Sequence, residues 1–153
     1  MQVSKILAIK GSALYTIAPS ASVAEAIAVM VEQDIGSLVC FEAGRMVGML
    51  TFRELLKTVH ALGPTAGGTP IASVMLHEPV RVDADMEMDE LRRLMLRNHA
   101  RYLPVMDGDT LLGVVSFHDV ARAVLEEQGF ENRQLKNYIR GHPNEEALHE
   151  VSP

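Results

Sequence analysis

Apolar residues recur along this chain in two alternating rhythms. Val23, Ala26, Ile27, Met30 and Val31 fall at helical spacing, and Met88, Leu91, Leu94 and Met95 repeat it further on. A short extended piece, Tyr15 to Ile17 or Val80 to Val82, precedes each of these stretches. A short apolar run follows each, Leu38 to Phe41 or Leu103 to Met106. Turn residues come next, Glu42-Ala43-Gly44 or Asp107-Gly108-Asp109, and then a second run, Met46 to Leu50 or Leu111 to Val115. So short a connection predicts an antiparallel hairpin. A second helix is predicted to begin at Phe52 or Phe117, ending near Gly63-Pro64 in the first case and at Gly129 in the second. Ser22 and Glu25 form a Ser-x-x-Glu capping box ahead of the first helix.

The same order of elements, met twice, is a repeat. Residues 17–59 lie over residues 82–124 without a gap, pairing Leu38 with Leu103, Gly48 with Gly113, Thr51 with Ser116 and Phe52 with Phe117. Upstream, after a three-residue shift, Val3, Ile6 and Leu7 align with Ile71, Val74 and Met75. The predicted class is α/β (α+β): two tandem repeats, each a small sheet packed with two helices, related by a pseudo-twofold. Repeat one is expected over residues 1–66 and repeat two over 67–128, with a C-terminal helix and tail over 129–153. The Gly-, Pro- and Thr-rich stretch Gly63 to Pro70 reads as the linker. Phe130 to Arg140 is expected to form one more helix, stopped by Gly141 and Pro143, before a loose polar end. One unit of about 60 residues buries too little apolar surface alone. Two packed together solve that problem and leave clefts, which are common sites for small ligands.

Composition adds limits. With 48% hydrophobic and 22% charged residues the chain has the mix of a globular protein, and with no Trp and nine Met its core is aliphatic and adaptable. The net charge of −6 argues against non-specific nucleic-acid binding. Arg92, Arg93 and Arg97 are interleaved with Asp89 and Glu90, as on a solvated helix face. The lone Cys40 has no internal disulfide partner and sits in an apolar run, which suggests a buried thiol and a reducing, cytoplasmic setting. No apolar run approaches the ~18 residues of a membrane span, and Met1 to Lys10 lacks the layout of a signal peptide.

The candidate chemistry also occurs twice. Gly48-Met49-Leu50-Thr51-Phe52-Arg53-Glu54 and Gly113-Val114-Val115-Ser116-Phe117-His118-Asp119 each run from a strand into a helix N-terminus, with a hydroxyl at the junction. Thr51 with Glu54, and Ser116 with Asp119, are sufficient as capping boxes. The same geometry suits a phosphate, since a helix N-terminus offers free N–H groups and a positive dipole end. Arg53 or His118 adds charge, and a carboxylate accepts hydrogen bonds from sugar hydroxyls. The six histidines show no metal-ligand spacing, and neither a nucleophile elbow nor a phosphate-binding glycine loop is present.

The repeated Gly-apolar-apolar-Ser/Thr-x-x-Asp pattern, following Arg101-Tyr102-Leu103-Pro104-Val105, resembles the cystathionine beta-synthase (CBS) domain, and two copies resemble a CBS pair, or Bateman module. The resemblance covers residues 3–126, and Glu126 to Tyr138 looks like the tail of small stand-alone CBS-pair proteins. It implies a regulatory, non-catalytic module that binds an adenosine-containing ligand in its clefts: AMP, ADP, ATP, S-adenosylmethionine or NAD(H). It implies that Asp119 holds a ribose and Ser116 lies near phosphates, with Tyr102, Leu103, Pro104, Val80 and Val82 around the base. Arg101, His99 and His118 become phosphate contacts, and Ile17, Ser37, Leu38, Thr51 and Arg53 are the first copy's candidates. That copy departs from the pattern, with Glu54 for the Asp and Val39 for the Pro. Glu54 is expected to curl back as a cap and Asp119 to point at a ligand, which favours the second pocket.

Three readings follow. The first is a nucleotide-sensing module that requires no cofactor and signals to a protein partner. The second is a dimerisation module with vestigial pockets. The third, an enzyme, lacks a recognisable catalytic set. A homodimer is expected through apolar helix faces that include Leu55, Leu56, Val59, Val120, Ala121 and Val124, a mode the resemblance also implies.

Overall fold

The computed structural model describes residues 1–11 and 14–139, with side chains through Gly129. Each repeat forms a three-stranded sheet flanked by helices. The first holds β1 (Thr16–Ile17), α2 (Val23–Gln33), β2 (Ser37–Glu42), β3 (Arg45–Thr51) and α3 (Phe52–Leu62), after an N-terminal helix α1 (Val3–Lys10). The second holds β4 (Val82–Asp83), α4 (Met88–Asn98), β5 (Tyr102–Asp107), β6 (Thr110–Ser116) and α5 (Phe117–Ile139). The sheet orders are β1-β2-β3 and β4-β5-β6, with the first pair parallel and the second antiparallel in each.

The correspondence extends to irregularities. A register shift falls between Cys40 and Phe41 in one hairpin and between Val105 and Met106 in the other. α2 and α4 end on Asp34 (φ 52) and His99 (φ 51), non-glycine residues in the left-handed region, which Asp and His tolerate better than most. Ser22 Oγ accepts from the Glu25 N–H at 3.2 Å, as the capping box predicts.

The two cores exchange their leading segments. Val3 and Ile6 of α1 pack with Leu91, Leu103, Val105 and Val115 in the second core. Ile71 and Met75, the sequence equivalents of Val3 and Leu7, pack with Val23, Leu38 and Leu50 in the first. Backbone bonds fix both: Val3 N–H donates to Met86 O at 2.9 Å and Ile71 N–H to Ala21 O at 2.9 Å. Leu76 and Met49 exchange hydrogen bonds in both directions, at 2.8 and 2.9 Å, so the crossing chain joins the free edge of β3.

Three expectations change. Leu55 and Val120, expected on exposed faces, lie in the two cores, because each is on the inner side of its helix. The Gly63–Pro70 linker is ordered for most of its length: Gly63–Gly68 form a 3₁₀ helix that buries Ala66. α5 does not stop at Gly129 but continues to Ile139. A glycine ends a helix readily when it turns left-handed, whereas inside a helix it costs only about 1 kcal/mol. Gly141, Pro143 and the polar end lie outside the described residues.

Candidate functional site

Both strand-to-helix junctions are closed by reciprocal caps. In the first, Glu54 Oε1 accepts from the Thr51 N–H at 2.7 Å and its hydroxyl at 2.8 Å, and Thr51 Oγ1 accepts from the Arg53 N–H at 3.3 Å. In the second, Asp119 Oδ2 accepts from the Ser116 N–H at 2.8 Å, and Ser116 Oγ accepts from the Asp119 N–H at 3.1 Å. The expected contrast is therefore not present. Asp119 caps as Glu54 does, because a carboxylate on the first turn reaches the preceding N–H with either side-chain length.

Asp119 is also paired. Lys10, the last residue of α1, donates from Nζ to Asp119 Oδ2 at 2.8 Å and to the Val114 carbonyl at 2.8 Å. Burial alone raises the Asp119 carboxyl. The Lys10 hydrogen bond, the Ser116 N–H, the Lys10 charge and the Ser116 hydroxyl together outweigh it, leaving the group below its ordinary value of 3.8.

Two adjoining clefts open where the repeats meet. One, of about 560 Å³, lies between the start of α3 and the second repeat, bordered by Thr51, Arg53, Val80, Arg101, Tyr102 and Leu103. The other, of about 770 Å³, lies at the start of α5, bordered by Ser116 and His118 together with Arg53, His99, Arg101 and Tyr102. The first mixes cations (Arg53, Lys57, Arg101) and the carboxylates Glu54 and Glu78 with the apolar Leu76, Pro79 and Val80. Among the described residues bordering the second there is no carboxylate, a strong local bias in a chain of net charge −6.

Two substitutions between the copies shape this junction. In the first sheet Val39 N–H donates to the Tyr15 carbonyl at 3.1 Å. The equivalent residue in β5 is Pro104, which has no N–H, so the carbonyl of Val80 has no such donor opposite it. The strand accordingly starts at Val82, and Val80 borders the cleft. Gly36 stands where the second repeat has Arg101. A Cβ there would collide with the Tyr102 hydroxyl and lie 2.8 Å from Phe52 Cε2, so the glycine admits the Tyr102 ring from the other repeat.

The candidates thus divide. Thr51, Arg53, Val80, Arg101, Tyr102 and Leu103 come together around the first cleft, and Ser116 and His118 around the second. Asp119 faces Lys10 and borders neither. Ile17, Ser37, Leu38, Val82 and Pro104 lie in or beside the strands, Leu38 and Val82 fully buried, and none borders these two clefts. Sequence reasoning missed Lys10 and Leu76, since no local signal places the residues before each repeat against the partner repeat, and it missed Lys57, one turn beyond Arg53 in α3. Gly36 was legible in retrospect as the small residue opposite Arg101 in the alignment.

Comparison with known proteins agrees with this architecture. The CBS domain family matches residues 8–61 and 71–126, and the chain belongs to that family. A CBS domain-containing protein, YhcV of Bacillus subtilis, is 32% identical over 106 residues, covering 69% of this chain and 75% of its own. The crystal structure of the CBS-domain protein ATU1752 of Agrobacterium tumefaciens superposes with a TM-score of 0.78 at 29% identity, over 80% of this chain and 98% of that one. Two further structures share the fold: CBSX2 in complex with AMP (TM-score 0.70, 24% identity, 83% and 98% covered), and the CBS pair of MJ0100 with 5′-methylthioadenosine and S-adenosylmethionine (0.72, 21%, 83% and 98%). No helix among the described residues is long and apolar enough to cross a membrane.

Proposed function

We propose that this chain is a regulatory module that binds an adenosine-containing nucleotide in the clefts between its repeats and signals to a partner protein in the cytoplasm. It binds and does not catalyse. The observation that carries the reading is the 560 Å³ cleft, whose border combines Arg53, Lys57 and Arg101 with the apolar Leu76, Pro79 and Val80. Arg53 and Arg101 are placed to take phosphate beside the Thr51 junction. Val80, Tyr102 and Leu103 form the base wall, and the Val80 carbonyl is the acceptor for an exocyclic amino group. Ser116 and His118 serve the second cleft. For Asp119 to hold a sugar there, Lys10 must first leave it. The adenosine ligands of CBSX2 and MJ0100 support the ligand class.

The test is a thermal-shift screen against AMP, ADP, ATP, S-adenosylmethionine and NAD(H). A ligand at ~100 times its Kd adds about 2.7 kcal/mol of stability. The shift should persist in Asp119→Ala and vanish in a folded Arg101→Ala. A shift lost only in Asp119→Ala moves the site to the second junction. No shift at millimolar concentration refutes nucleotide sensing.

A homodimer is part of this proposal. Phe52, Leu56, Val59 and Phe117 leave apolar surface exposed on α3 and α5, Phe52 and Leu56 at the rim of the first cleft and Phe117 at that of the second, with Leu56 70% exposed. Sedimentation should show a dimer at micromolar concentration and a monomer for Leu56→Asp. A monomeric parent chain would refute this part.

A further inference from the structure

Arg53 stands in both clefts. Its backbone belongs to the first turn of α3, in the first repeat. Its guanidinium crosses to the second, where Nη2 donates to the His99 carbonyl at 2.5 Å. That carbonyl belongs to the left-handed residue that ends α4. Other charged groups are partitioned: Glu54, Lys57 and Glu78 border one cleft, and His118 borders the other. Among the charged and titratable residues, Arg53, His99, Arg101 and Tyr102 border both, and of these only Arg53 comes from the first repeat.

A guanidinium carries five N–H donors in a fixed plane. The His99 contact engages one nitrogen on a neutral carbonyl. A phosphate is a stronger acceptor and takes two parallel N–H groups at once. Two phosphates that share the Arg53 guanidinium share its single positive charge, so the first one bound lowers its pull on the second. We infer that Arg53 is a shared anion-binding arm that couples the two clefts: a phosphate-bearing ligand in one draws Arg53 from His99 and weakens phosphate binding in the other. This rests on the proposed nucleotide reading. Linkage makes the coupling reciprocal, each cleft weakening the other by the same factor. Adenosine, which has no phosphate, does not recruit Arg53 and binds without coupling.

Site-resolved nuclear magnetic resonance tests this on the full chain, with Leu76 methyl signals reporting the first cleft and His118 ring signals the second. Val80→Trp fills the first cleft from an exposed position, and Ala121→Trp fills the second. AMP should bind the second cleft at least about fivefold more tightly in Val80→Trp than in the parent chain with its first cleft saturated. The first cleft should gain by the same factor in Ala121→Trp, so one misfolded variant does not remove the test. Adding Arg53→Ala to either background should bring the ratio to about one. AMP binding in both clefts with no ratio, a ratio that survives Arg53→Ala, an equal ratio for adenosine, or AMP in a single cleft overturns the coupling and leaves nucleotide sensing intact. No response to AMP or any other adenosine ligand overturns both.

Discussion

At the scale of single residues, the Lys10–Asp119 pair has the clearest consequence. A carboxyl held below its ordinary value of 3.8 stabilises the fold above that pH and loses the contribution as pH falls through its folded value. Asp119→Asn should therefore cost about 1 to 2 kcal/mol at neutral pH, and its deficit should shrink below about pH 4. Urea denaturation across pH 3 to 7 measures this, and a deficit constant with pH would show that the pair contributes no net charge stabilisation. Cys40 is the opposite case. Burial, and then the neighbouring Glu54 charge, pushes its thiol up to about 12. An aromatic disulfide reagent should modify it only on global unfolding. Its burial was legible from the apolar run around it. The fate of Asp119 was not, because its partner is 109 positions away.

At the scale of elements, the two junction glycines are equivalent in sequence but not in surroundings. A Cβ at Gly48 would lie 2.5 Å from the Leu76 carbonyl, in the backbone of the crossing chain, whereas one at Gly113 meets the flexible Leu7 side chain at 3.3 Å. Gly48→Ala should cost about 1 to 3 kcal/mol and Gly113→Ala less, as thermal denaturation of the two variants would reveal. Equal losses would mean that the crossing chain yields as easily as a side chain. In α5, a Cβ at Gly129 meets nothing within 4 Å. Gly129→Ala should raise stability by up to about 1 kcal/mol, and a loss would contradict an uninterrupted helix. Periodicity announced the six strands and the helices α2 to α5, since each has its counterpart in the other copy, but not α1 or the 3₁₀ helix at Gly63–Gly68. It failed at the end of α5, where a glycine looks the same whether it stops a helix or sits inside one.

At the scale of the molecule, the repeats are joined by exchange more than by contact. Ile6 and Ile71 each fill a core built mainly by the other half of the chain. Truncating either to Ala should cost about 2 to 5 kcal/mol. Both variants should unfold in one transition that includes both sheets. Two separate transitions in calorimetry would show that the halves fold independently. The sequence alignment already matched Val3, Ile6 and Leu7 to Ile71, Val74 and Met75. It could not say which core each set enters, because both cores present the same aliphatic surface.

That exchange sets an order of events during synthesis. Residues 71 to 75 follow closely on the sheet they complete, so the first core can close soon after Met75 leaves the ribosome. α1 emerges before either sheet, yet its partners reach as far as Val120 and Ala123. At about 5 to 20 residues per second its apolar face waits on the order of ten seconds for them. Of the described helices it is made first and docks last, and over that interval its exposed apolar face needs a chaperone's protection.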